Sequence, residues 1–320
     1  MIVRFASTPR TRSAALGYVH AVIVATVCVM LCCSALAATA DAATDITSAA
    51  PVMPMTTTNP AAPLYGTLPQ AVRKAGVLRF VGDSHPPYRI LSDDRKVRDG
   101  IDADLARAFE RVLGIPIEHH VVNSLSATLG GLESGRYDVA MGPAVATRER
   151  QMRFDAVSWM TTKPTFVFPS NRSARYARVE DLCGKRIAYV AGSVTERVTN
   201  RVIELCIQAG LPPALHVPLV DTNMSLVATQ AGRADVAGMT RTAALHAAHV
   251  NGERFQVFSD ETNTLGVDLL SLFVTKRSNL GQVMLSAMDM LLRNGDYQRV
   301  MAKWGVTGVS IETTRLNAAK

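Results

Sequence analysis

The sequence predicts an α/β protein built from two similar lobes with a cleft between them. Three observations point there. Gly135-Arg136-Tyr137-Asp138-Val139-Ala140 and, 97 residues later, Gly232-Arg233-Ala234-Asp235-Val236-Ala237 spell nearly the same hexapeptide, each after a helix-like run and before a short apolar run. Strand and helix patterns alternate around both copies, which favours parallel sheets covered by helices. The chain of 320 residues is also long enough for two modest domains.

Residues 1–40 stand outside this pattern. Arg4, Arg10 and Arg12 precede an apolar run from Ala21 to Leu31, which ends in Ser34-Ala35-Leu36-Ala37-Ala38-Thr39-Ala40. A basic region, an apolar region and a small-residue cleavage site, in that order, make a secretory signal. The apolar part is shorter than the roughly 20 residues a membrane span needs, and Leu31 is a poor residue ahead of Cys32 and Cys33 for a lipid anchor. Export as a soluble protein, with cleavage near Ala40, is the expectation. Asp41 to Gly66 is rich in Ala, Thr, Pro and Met without a steady period. Packing of such small residues does not offset the entropy of ordering them, so 41–66 reads as a flexible segment.

The first lobe opens with a strand at Val77–Val81, closed by Gly82-Asp83-Ser84-His85-Pro86-Pro87. Ile101, Leu105, Ala108, Phe109 and Val112 fall at helical spacing, with Gly114 as a stop. Ile115–Val122 supplies a strand, Ser124–Glu133 a helix, and Asp138–Gly142 another strand. Trp159–Pro169 reads as extended and leads into Ser170-Asn171-Arg172-Ser173, a hinge or surface turn. The pattern then recurs: strand Arg186–Val190, helix Val194–Ala209, strand His216–Val220, helix Met224–Gln230 and strand Asp235–Gly238. A strand-like run at Gly266–Thr275 precedes helices at Leu280–Arg293 and around Tyr297–Trp304.

The formal net charge of +7 falls to about +4 once the three leader arginines are set aside. No Lys/Arg block alternates with aromatics as a nucleic-acid surface requires. Small molecules or other proteins are the expected partners, with no nucleic acid. Cys183 and Cys206 are the two cysteines beyond the leader. In an exported chain they are a disulfide candidate, with two buried free thiols as the alternative. No histidine stands at the short spacing a structural zinc site uses, so neither metal nor cofactor is expected.

Several short motifs, taken in order, resemble the family-3 extracytoplasmic solute-binding proteins, the polar-amino-acid-type receptors of ABC importers. They are Gly100-Ile101-Asp102-Ala103-Asp104-Leu105-Ala106, Leu132-Glu133-Ser134-Gly135-Arg136-Tyr137-Asp138, Thr147-Arg148-Glu149-Arg150, Leu182-Cys183-Gly184-Lys185-Arg186, and Tyr297 with Lys303-Trp304-Gly305. The resemblance runs from about Leu68 to the C-terminus. It implies a two-lobed periplasmic binding protein fold of type II, with a central ligand cleft and two crossover strands. On that reading lobe 1 comprises 67–168 and 263–320, and lobe 2 comprises 169–262.

The resemblance places Arg150 where a ligand carboxylate is gripped. A guanidinium offers a rigid fork of donors that holds a carboxylate bidentately; the alternative is a solvated face shared with Arg148 and Arg153. Thr147, three residues earlier, stands at a helix start as a cleft hydroxyl or a cap. Val145 occupies a position where amino-acid receptors often carry a hydroxyl, and Pro143 removes a backbone donor. His85 lies where the family covers its ligand with a ring; Tyr88 does the same or packs under the loop, and Asp83 is a further candidate or a turn cap. Leu125 is a candidate apolar floor. Ser193, in Gly192-Ser193-Val194-Thr195, opens a helix that presents free N–H groups to an anion. Thr240 departs from the family, whose amino-acid receptors place an Asp there for the ligand ammonium.

The expected function is periplasmic binding of a small carboxylate-bearing molecule for delivery to a membrane permease of an ABC importer, by a monomer without catalytic residues. An accessory or sensory protein that contacts a periplasmic partner is the alternative. A dehydratase acting on cyclic carboxylates is a third reading, because such enzymes share the family resemblance. Asp235 is expected to be structural, repeating the role of Asp138.

Overall fold

The computed structural model describes residues 55–171 and 175–319. The expected signal segment lies outside the described residues, as do Arg172 and Ser173 of the expected hinge. The chain runs through α1 (Gln70–Ala75), β1 (Leu78–Asp83), a hairpin of β2 (Ile90–Leu91) and β3 (Val97–Asp99), α2 (Ile101–Leu113), β4 (Ile117–Val122), α3 (Leu125–Glu133), β5 (Val139–Ala140), α4 (Arg148–Arg153) and β6 (Phe154–Thr162). A second series follows: β7 (Pro164–Pro169), β8 (Arg186–Val190), α5 (Val194–Gln208), β9 (Leu215–Leu219), α6 (Thr222–Gln230), β10 (Val236–Thr240), α7 (Arg241–Val250) and β11 (Phe255–Ser259). The chain then returns with β12 (Asp268–Thr275), α8 (Gly281–Arg293) and α9 (Asp296–Lys303).

Two five-stranded sheets carry one plan, in the orders β4-β1-β5-β12-β6 and β9-β8-β10-β7-β11. In each, three strands from βαβ units run parallel and a crossing strand, β12 or β7, joins them antiparallel. This is the two-lobed α/β architecture with two crossings that the sequence implies. α2 shows why the helices form where they do: Ile101, Leu105, Ala108 and Phe109 are buried along one face. Asp102 and Asp104 in its first turn and Arg111 in its last suit the helix dipole, and Gly114 ends it in the left-handed region. α8 packs on the same lobe through Met284, Met288 and Leu291.

The repeated hexapeptide has a structural cause. Gly135 and Gly232 turn the chain out of α3 and α6 at φ of +77° and +78°. Three residues on, Asp138 accepts from Arg79 N at 2.8 Å and from its Nε at 2.9 Å. Asp235 accepts from Arg186 N at 2.8 Å and from its Nε at 3.1 Å. Each aspartate thus ties the entrance of its lobe's third parallel strand to the first, and Asp235 is structural as expected.

Two boundaries differ from the sequence expectation. The passage between sheets falls at Lys163 rather than after Phe168, because Pro164–Pro169 pairs with β10 and β11. The crossing takes one residue, Lys163 ahead of Pro164, within a run that stays extended on both sides. The described part of the segment expected to be flexible is also held in place: Asn59 N donates to Gly114 O at 2.8 Å and Leu64 N to Val112 O at 2.9 Å. Backbone bonds to the end of α2 anchor it, and periodicity of apolar side chains does not register them.

Cys183 and Cys206 form a disulfide with Cα atoms 5.6 Å apart, tying the entrance of β8 to the last turns of α5. Such a cross-link stabilises a fold by roughly 2–4 kcal/mol. Replacing both cysteines by serine is expected to lower the midpoint of thermal unfolding by several degrees, measured by calorimetry. His119 on β4 sits against Phe80 with ring centroids 6.3 Å apart, and its Nδ1 has no hydrogen-bond partner. Burial pushes it down to about 3, so the folded protein keeps the ring neutral. The unfolded chain takes up that proton near pH 6.5, so stability falls as pH drops from there toward 3. His119→Phe is therefore expected to lose less thermal stability than the parent between pH 7 and pH 4 in parallel melts.

Candidate functional site

The cleft lies where helices start at the carboxyl ends of the parallel strands. Ser193 caps α5 by accepting from Thr195 N at 3.2 Å, Asp221 caps α6 by accepting from Met224 N at 2.7 Å, and Thr240 caps α7 by accepting from Ala243 N at 3.4 Å. α3 begins at Leu125 on the opposite wall, capped by Ser124. Between these starts is a cavity of about 60 Å³ whose lining includes Asp83, His85, Leu125, Val145, Arg150, Ser193 and Thr240. The helix N-termini give this space a positive dipolar field.

Arg150 spans the two lobes. Its Nη1 donates to Val145 O at 2.7 Å and its Nη2 to Gly192 O at 2.9 Å. Val145 precedes α4 in the first lobe and Gly192 precedes α5 in the second. Thr147 accepts from Arg150 N at 3.2 Å and so acts as the cap of α4. It faces an outer pocket of about 320 Å³ that shares Arg150 and Ser193 with the inner cavity. Burial lowers the proton affinity of Arg150; Glu149 raises it and Arg197 lowers it further. Among the described residues its guanidinium meets carbonyls and no carboxylate within ion-pair distance.

Of the two readings for Tyr88, the structure shows the packed one. Tyr88 is fully buried, and its hydroxyl donates to Thr240 Oγ1 at 3.1 Å, so it joins the lobes and is not among the cavity-lining residues. Burial pushes its phenol up to about 12, which keeps it a neutral donor. Its ring meets Trp159 edge-on at 5.9 Å, a contact set by the hydrophobic floor. His85 does line the cavity, and its Nδ1 lies 3.2 Å from Thr222 Oγ1 in the second lobe. Val145 presents a buried apolar side chain, with its carbonyl given to Arg150.

Asp83, at the end of β1, has its Oδ2 3.9 Å from His85 Nδ1 and a side chain 14% exposed. Burial pushes its carboxyl up, but His85, a bond from its own backbone and the Arg89 charge together hold it below the ordinary carboxylate value. Behind it, Arg89 Nη2 and Asp102 Oδ2 are 3.4 Å apart, each side chain 1% exposed. Burial pushes Asp102 up to about 7, Arg89 draws it down, and the Asp83 charge raises it again.

Sequence reasoning missed Thr195 and Thr222, which bring hydroxyls to the cavity from the second lobe, and Met141, Val190, Met239 and Phe273 in its apolar walls. The signal for Thr222 was present: Asp221 followed by Thr222 is a cap and first residue, which places the start of α6 two residues before Met224. Phe273 is distant in sequence and reaches the site by β12 entering the first sheet beside β5.

Comparisons with known proteins agree with this fold. The chain is 24% identical over 262 residues to the arginine-binding protein ArgT of Corynebacterium glutamicum, covering 81% of this chain and 84% of that protein. Its fold matches the amino acid ABC transporter substrate-binding protein AbpA of Streptococcus pneumoniae, solved bound to L-arginine, at a TM-score of 0.63 and 20% identity over 74% of this chain and 97% of that one. It also matches the ancestral amino acid-binding protein AncCDT-1, a precursor of cyclohexadienyl dehydratase, at a TM-score of 0.62 and 20% identity over 73% and 97% of the two chains. The family profile of the bacterial extracellular solute-binding proteins, family 3, matches residues 78–307, and the chain belongs to that family.

Proposed function

We propose that this solute-binding protein acts in the periplasm, where it takes up a small carboxylate-bearing solute and delivers it to an ABC permease. One observation carries the reading: the cavity between the lobes is bordered by the Arg150 guanidinium, whose bonds among the described residues go to the carbonyls of Val145 and Gly192. Carbonyl dipoles offset part of a buried positive charge, and an anion offsets the rest. The starts of α5, α6 and α7 add N-terminal dipoles of the same sign. The relatives named for amino acid binding support a solute of this size and charge.

Closure follows from the same contacts. Arg150 to Gly192, Tyr88 to Thr240 and His85 to Thr222 each join the two lobes. A solute touching both walls favours the closed population by its differential affinity for that state.

A thermal-shift screen of the exported form against amino acids, dicarboxylates, keto acids and aromatic acids tests the proposal. A solute at 100 times its Kd stabilises by about 2.7 kcal/mol, which is read as a rise of several degrees. Arg150→Ala is expected to weaken that solute by about 30-fold or more, as loss of a buried charged partner does. An unchanged shift in the variant removes Arg150 from recognition.

A further inference from the structure

Most histidines of the described chain have a partner. His85 meets Thr222, His120 meets Glu118, His216 meets Tyr189, and His119 packs on Phe80. His246 and His249 stand apart: among the described residues neither ring has a hydrogen bond or an ion pair. Both line one pocket of about 400 Å³, walled by α7 of the second lobe and by Trp304, Gly305 and Val306 of the first. This pocket shares no lining residue with the cleft cavity. Thr240 caps α7 at the cleft, which puts the two histidines about 9 and about 14 Å farther along the helix axis.

Several features suit the pair to a metal ion. Side chains three residues apart on a helix are neighbours, with Cβ atoms roughly 5–6 Å apart, and metal sites in helical bundles use ligands at that spacing. Burial, and after it the neighbouring His249, lower the proton affinity of His246; the neutral imidazole is the form that ligates a metal. The rings stand toward the C-terminus of α7, where the negative end of the helix dipole favours a cation. Arg241, the permanent cation of the same lining, donates to Glu261 Oε1 at 2.5 Å, so its charge is offset.

We propose that His246 and His249 form a second site, apart from the cleft, that takes a divalent transition-metal ion through its two imidazoles, with water in the remaining coordination positions. Among the described residues no group of three or more His, Cys, Asp or Glu comes together, so the site is open and differs from a closed four-ligand zinc site. The expectation of no metal rests on the patterns of closed sites, which an open pair does not follow. The site is independent of the carboxylate reading of Arg150.

Titration calorimetry at pH 7 with the chlorides of manganese(II), cobalt(II), nickel(II) and magnesium tests it, on the exported form without an affinity tag. One equivalent of nickel is expected to bind, tighter than cobalt and cobalt tighter than manganese, with no binding of magnesium, as imidazole ligands require. His246→Ala and His249→Ala are each expected to weaken nickel by about 10-fold or more, because the second ligand acts at a high effective concentration. His216→Ala removes an imidazole already bonded to Tyr189 and is expected to leave nickel binding unchanged. Thermal melts without metal confirm that the variants fold, and His246→Gln is a second variant of similar size at the half-buried position. Absence of nickel binding by the parent overturns the proposal. Full-strength binding by either alanine variant also overturns it, as does an equal loss in His216→Ala.

Discussion

The guanidinium of Arg150, held between Val145 O in one lobe and Gly192 O in the other, is the interaction on which the site depends. Two of its five N–H donors are engaged in these bonds. Hydrogen bonds from a charged donor are roughly twice as strong as neutral ones, so a single side chain aligns both walls of the cavity. The position follows from local structure. Thr147 caps α4 and sets its first turn, which places Arg150 on the side facing the start of α5. A lysine at this point has no planar fork and does not present donors to two walls in one geometry.

Much of the framework could be read from the sequence because its causes are local. The Asp138 and Asp235 repeat marks the same tie in each lobe, with Arg79 and Arg186 as partners. The bounds of α2 follow from apolar spacing and from Gly114, and β8 from a short apolar run. Several residues that carry the family resemblance hold the framework together and do not line the cavity. Lys303 Nζ and Trp304 Nε1 both donate to Asp104 Oδ2 at 2.7 Å, and Tyr297 donates to Trp159 O at 2.9 Å. They dock α9 on the first lobe.

What escaped the sequence depends on contacts between distant segments. Tyr88 follows His85 by three residues, and the sequence leaves open which of the two rings meets a ligand; His85 lines the cavity and Tyr88 bonds Thr240 instead. Its partner Thr240 is 152 residues away. The crossing at Lys163 escaped for another reason: β6 and β7 are both extended, and one residue between them changes the sheet while the chain stays extended. Thr195 and Thr222 were hidden because a threonine early in a helix reads as part of the capping turn. Tertiary placement gives these two a cavity to line.

Arg89 and Asp102 show why the charged wall is more than a stabilising device. Gly82 admits Arg89: a Cβ at that position would lie 1.9 Å from its Nη1. The fold therefore gives up a side chain in β1 to bring a guanidinium into a place where its Nε and Nη1 find no hydrogen-bond partner. A buried ion pair with unsatisfied atoms contributes little net stability, and apolar residues of similar volume often serve a core better. The pair nevertheless stands directly behind Gly142, where a Cβ would come within 4.0 Å of Asp102 Oδ2, and Gly142 lines the cavity. Its field reaches Asp83, whose carboxyl Arg89 helps to hold ionised. The arrangement exchanges packing in the first lobe for charged groups placed beside the cavity wall.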